Sequence, residues 1–155
     1  MNSKTKLLGL FVFFLLIPPL GYSIVSSKTA AVENTVISNA EWVNGRIQVN
    51  ITLEIDNPSL LPLHVEPQPR GFKVNGKPVN ITSVKVEPDT AGGRNKTRVT
   101  IVLELSSPPL LGGFSLVDIK GEVCVRLIPE FSLLGFPGSV KCSSVEQSSV
   151  IEVGG

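Results

Sequence analysis

His64 is the only histidine in the chain. A Ser-His-Asp relay or a multi-histidine metal centre needs its imidazole beside polar partners. The neighbours of His64 are Leu63 and Val65, so it reads as a histidine on a strand surface. Glu54 and Asp56 stand two residues apart on one face of a strand, a spacing that would suit paired carboxylates. Solvated charge on a sheet face is the simpler account, because the strand alternation puts both residues on the wet face. Gly92-Gly93-Arg94 is rich in glycine but lacks the strand–glycine–helix context of a phosphate loop. The sequence therefore contains no catalytic constellation, and we expect no enzyme, no cofactor, no metal site and no small-molecule substrate.

Cys124 and Cys142 are the only cysteines, too few for a disulfide scaffold or a four-thiolate zinc site. They can pair if the chain leaves the cytoplasm, and their flanking segments can form a hairpin centred near Leu133. Side-chain parity argues the other way. Cys124 falls on the outer face if Val123 and Val125 point in, whereas Cys142 shares parity with apolar Val140. A bulge would reconcile the faces, so pairing stays open on sequence grounds. Asn50-Ile51-Thr52, Asn80-Ile81-Thr82 and Asn95-Lys96-Thr97 are glycosylation sequons, with Asn50 expected to point outward and Asn95 to lie in a loop.

The elements that must carry these residues read as strands. Ile47, Val49, Ile51, Leu53 and Ile55 alternate with polar residues from Arg46 onward, so one face is buried and one is wet. Pro58 ends this strand after Asn57, and Leu60, Leu61 and Leu63 resume the apolar pattern around Pro62, which predicts a corner between sheet edges. Thr35 to Val43 is a preceding strand with Val36, Ala40 and Trp42 on one parity, joined through the turn Asn44-Gly45. A second Asn-Gly, Asn75-Gly76, joins Gly71 to Val74 with Pro78 to Ile81. Ser83 to Val86 continues as strand, and Glu87 to Lys96 is expected to be a loop. Thr97 to Leu105 and Asp118 to Ile128 alternate again, and Gly121 on the inner face marks a close approach by a neighbouring chain. Ser139 to Val145 and Ser149 to Val153 supply the last strands. Short strands separated by turn residues predict an all-β fold, an antiparallel β-sandwich.

The N-terminus is different. Lys4 and Lys6 precede an uncharged run from Leu7 to Val25, 19 residues and about 28 Å as a helix, roughly a hydrocarbon core. It reads first as a transmembrane anchor with the lysines inside and the rest outside. Alternatively it is a cleaved signal peptide, with Pro18-Pro19 ending the apolar helix and Gly21-Tyr22-Ser23 offering small residues for a peptidase. The protein is then secreted. The organisation is an anchor or signal helix over 1–25, a polar tether over 26–34 and one sandwich domain over 35–153. With Lys4, Lys6 and Lys28 set aside, 11 of the 14 basic residues face 13 acidic ones, which is no footprint for nucleic acid.

The run VNITLEIDNPSLLPLHV, followed by GFKVNGKPV, TRVTIVLEL and DIKGEVCVRL, resembles the WHy (water stress and hypersensitive response) domain of the folded, LEA type 2-like late-embryogenesis-abundant proteins. The positions that carry the resemblance are Asn57, Pro58, Leu61, Pro62, Gly76 and Gly121. Ser59 departs from the pattern, which commonly has a second Asn there. The resemblance covers roughly Thr35 to Val153. It implies a fibronectin-III- or immunoglobulin-like sandwich with a non-enzymatic, chaperone-like role in water stress, and stress-exposed clients as partners. The competing reading is an envelope module of structural or adhesive character, which binds a protein partner by a sheet edge or loop end.

Overall fold

The computed structural model describes residues 29–108, 110, 112–130 and 138–154. The expected anchor over residues 7–25 lies outside the described residues, as does the start of the tether. Among the described residues nine strands follow in order: β1 (Ala31–Val43), β2 (Arg46–Asn57), β3 (Leu63–Val74), β4 (Lys77–Pro78), β5 (Ile81–Glu87), β6 (Thr90–Ala91), β7 (Asn95–Ser106), β8 (Gly113–Pro129) and β9 (Ser139–Val153). They build two antiparallel sheets, ordered β1-β2-β7-β5 and β4-β3-β8-β9, with β6 added to β3. The inner faces of both share one apolar core, as the alternation requires.

The organising strand behaves as its pattern dictates. Ile47, Val49, Ile51, Leu53 and Ile55 are buried, and the residues between them are half-buried on the outer face. Each such side chain contributes roughly 1.5–3 kcal/mol by leaving water. Across from them Val99, Ile101, Leu103 and Leu105 of β7 are buried in an unbroken twelve-pair register. Asn44-Gly45 and Asn75-Gly76 both have positive φ at both residues, the type I′ geometry that matches strand twist.

Four expectations change in detail. First, β1 begins at Ala31, inside the stretch assigned to the tether. It also carries register shifts between Glu33 and Val36 and between Ile37 and Asn39. Those bulges switch the facing, so Val36 is exposed while Ile37, Ala40 and Trp42 face the core. Second, β3 runs back to Leu63 through Pro67 and Pro69, which pair with Val125 and Val123 of β8. β4 and β6 pair only with the ends of β3, so the prolines sit along an otherwise open edge that they cannot extend by donation. Third, Pro78 to Ile81 is not one strand. β4 ends at Pro78 in one sheet and β5 starts at Ile81 in the other. Within the expected loop, Thr90–Ala91 pairs with β3, and the Asp89 carbonyl accepts from the Val65 N–H at 2.7 Å. Fourth, Ser139 to Val153 is a single strand with uninterrupted pairing to β8.

Gly121 sits on the inner face, but a side chain rather than a backbone approaches it. A Cβ there would lie 2.6 Å from Phe72 ring carbons. Gly71 and Phe72 together oppose Gly121 at a register shift, and Gly71 has φ +66°, the geometry of a glycine-led bulge. The bulge turns the buried Phe72 ring over the glycine.

Candidate functional site

The corner after β2 carries the chain from one sheet to the other, and Asn57 holds it together. Its side chain is fully buried. Nδ2 donates to the Leu61 carbonyl at 2.8 Å and the Gly92 carbonyl at 3.2 Å. Oδ1 accepts from the Ser59 N–H at 3.2 Å and the Ser59 hydroxyl at 2.7 Å. Two donors and two lone pairs are thus all used, which is what a buried amide requires. Asn57 itself caps this turn. Ser59 supplies both donors to Asn57 Oδ1. Gly92-Gly93-Arg94 backs the corner. Arg94 N–H donates to the Ser59 carbonyl at 2.7 Å, and a Cβ on Gly93 would strike the Leu60 carbonyl group. Pro58 itself is exposed, and the Pro62 carbonyl accepts from the Glu130 N–H at 3.1 Å. Asn75 Oδ1 accepts from the Asp118 N–H at 2.9 Å, which pins the turn containing Gly76 to β8.

The remaining candidates are dispersed. His64 is exposed in β3, opposite Thr90 and Ile128. Glu54 accepts from Asn34 Nδ2 at 3.2 Å and faces Glu33 on β1 and Arg98 on β7. Asp56 faces Lys96, which pairs with Glu33 at 3.7 Å. This is a mixed-charge lattice on a wet face, where each pair stabilises by at most about 1 kcal/mol. Asn80 and Asn95 are exposed, and Asn95 opens β7, paired with Asn57, rather than lying in a loop. Asn50 is half-buried in the β1-β2-β7 ladder with its Oδ1 enclosed, so it is less accessible than its outward parity suggested.

Among the described residues, the one close grouping of reactive side chains lies on the outer face of β3, β8 and β9. Cys124 and Cys142 stand directly opposite one another, with Cα atoms 4.0 Å apart, and form a disulfide. No bulge is needed, because Val140 also faces outward and is exposed. The parity of Val140 misled because that residue is apolar without being buried. Cys124 is fully buried and Cys142 is exposed. Glu122, two residues before Cys124, places Oε1 3.0 Å from the Cys124 sulfur. Arg70, opposite Glu122 across the β3–β8 register, donates to Oε1 from Nε at 3.1 Å and Nη2 at 2.9 Å. The same Nη2 lies 3.7 Å from the Cys142 sulfur. Glu122, Cys124 and Cys142 have metal-ligand types within 4.8 Å, but the two sulfurs are bonded to each other and offer no thiolate in this form. Sequence reasoning missed Arg70 and Glu122. The i, i+2 spacing of Glu122 and Cys124 was a usable signal, but Arg70 becomes visible only through the strand register. No family model, curated protein or solved structure matches the chain.

Proposed function

We propose that the chain is a WHy-type, immunoglobulin-like sandwich held outside the cytoplasm by residues 7–25. Its role is to protect neighbouring proteins or membrane surfaces as water activity falls, without catalysing a reaction. The observation that carries this reading is the use the fold makes of the motif positions. Asn57 is a saturated buried hub, Gly76 completes a positive-φ turn, and Gly121 makes room for a core ring. These are structural duties, consistent with a module recognised by its framework. The strand order supports the immunoglobulin-like part, since β1-β2-β7-β5 and β3-β8-β9 correspond to the constant-type ABED and CFG sheets. The disulfide supports an oxidising compartment.

The direct test is drying. Full-length protein, dried with a dehydration-sensitive dehydrogenase, is expected to preserve its activity better than an equal mass of serum albumin. Equal or poorer preservation would refute the protective role. Protease added to intact cells should digest the domain, and complete protection there would defeat the proposed topology. A second reading, a partner-binding envelope module, is favoured by exposed Phe114, Leu116 and Val150 at one end of the β8–β9 outer face. One stoichiometric partner in pull-downs, lost with Phe114→Ser, would select it.

A further inference from the structure

We propose that Cys124 and Cys142, with Arg70 and Glu122, form a thiol–disulfide exchange site that passes its disulfide to an exposed protein dithiol. The argument begins with access. Cys124 is fully buried and Cys142 is exposed, so an incoming thiolate meets only the Cys142 sulfur. Exchange requires attack on one sulfur and departure of the other, and burial decides which is which.

The two flanking charges both favour the reduced form. In the disulfide the Cys124 sulfur carries no proton, so its 3.0 Å approach to Glu122 Oε1 is a contact without a hydrogen bond. On reduction the same geometry becomes an S–H donor to a carboxylate. Arg70 Nη2, 3.7 Å from the Cys142 sulfur, places a guanidinium where a Cys142 thiolate would form. Its bonds to Glu122 orient it there. A disulfide whose reduced form is stabilised is a better oxidant, and these contacts act on both sulfurs. The ladder on both sides of the pair is continuous, so opening the bond need not disturb the strands.

The steps balance. One thiolate of the partner dithiol attacks the Cys142 sulfur, giving a mixed disulfide and releasing Cys124, which takes a proton and donates to Glu122. The partner's second thiolate then attacks its own sulfur in the mixed disulfide and expels Cys142 as a thiolate beside Arg70. The partner loses two electrons and two protons. The cysteine pair gains two electrons and one proton, and the other proton goes to solvent. This activity is stoichiometric and independent of protection during drying, so either reading can fail alone.

The test uses the oxidised full chain in mild detergent with dithiothreitol and no denaturant. Reduction is expected while Trp42 fluorescence stays native. Brief iodoacetamide treatment should then label Cys142 at least roughly tenfold faster than Cys124, and Cys124→Ser protein should form a mixed disulfide with oxidised glutathione through Cys142. Arg70→Gln and Glu122→Gln should each move the glutathione equilibrium toward the disulfide by roughly tenfold, with Arg70→Lys recovering part of the shift. Reduction only after unfolding in urea, equal labelling of the two thiols, or an equilibrium unmoved by Arg70→Gln would each overturn the proposal.

Discussion

Gly121→Ala tests how the second sheet is packed. The added methyl would sit 2.6 Å from two Phe72 ring carbons and 2.7 Å from a third, against an optimum of about 3.5 Å or more between carbons. The ring must therefore retreat by roughly 0.9 Å. It has little room, because Phe72 is only 2% exposed and its backbone is fixed by the bulge that begins at Gly71. Overpacking of this kind costs about 1–3 kcal/mol, and the rigid ring points to the upper end. Phe72→Leu alone should cost about 1–2 kcal/mol through lost volume. The double variant should be more stable than the sum of the singles by at least about 1 kcal/mol, since the smaller side chain leaves room for the methyl. Urea unfolding of the full chain, followed through the single tryptophan, measures all three differences. A Gly121→Ala cost below about 0.5 kcal/mol, or strict additivity, would refute the argument that Phe72 is why this position is glycine.

Asn57→Ala should be among the most damaging single changes, at about 3–5 kcal/mol in the same assay. It leaves the Leu61 and Gly92 carbonyls and the Ser59 N–H short of a partner in a buried corner. Leu53→Ala should cost about 2–5 kcal/mol through lost burial and a cavity, since Leu53 is 1% exposed. Glu54→Ala and Asp56→Ala should each stay within about 0.5 kcal/mol, and drying protection should follow the folded fraction across these variants. Loss of protection at an unchanged unfolding curve would instead make that carboxylate pair functional. Cys142→Ser should cost about 3 kcal/mol, because an 18-residue separation would no longer be closed in the unfolded chain.

Period-two alternation was enough to identify β2 and most of β7, because a strand with one buried face must write that face into every second residue. The two Asn-Gly turns were legible for a similar reason, since few residue types tolerate consecutive positive φ. Asn57-Pro58 announced a corner because proline cannot continue a ladder. Each of these is a local constraint, visible in a few consecutive residues. What the tertiary structure decided is the set of meetings between distant residues. The bulges of β1 exposed Val36 and buried Ile37, an outcome that depends on pairing with β2. Phe72 reached Gly121 only because β3 pairs with β8 at a shifted register. The same register brought Arg70, 52 residues away in sequence, to Glu122, and the β8–β9 ladder set Cys142 against Cys124. Alternation tells a chain which side of a strand each residue occupies. It does not say which strand lies alongside or at what offset, and the outer-face chemistry of this protein depends on that offset.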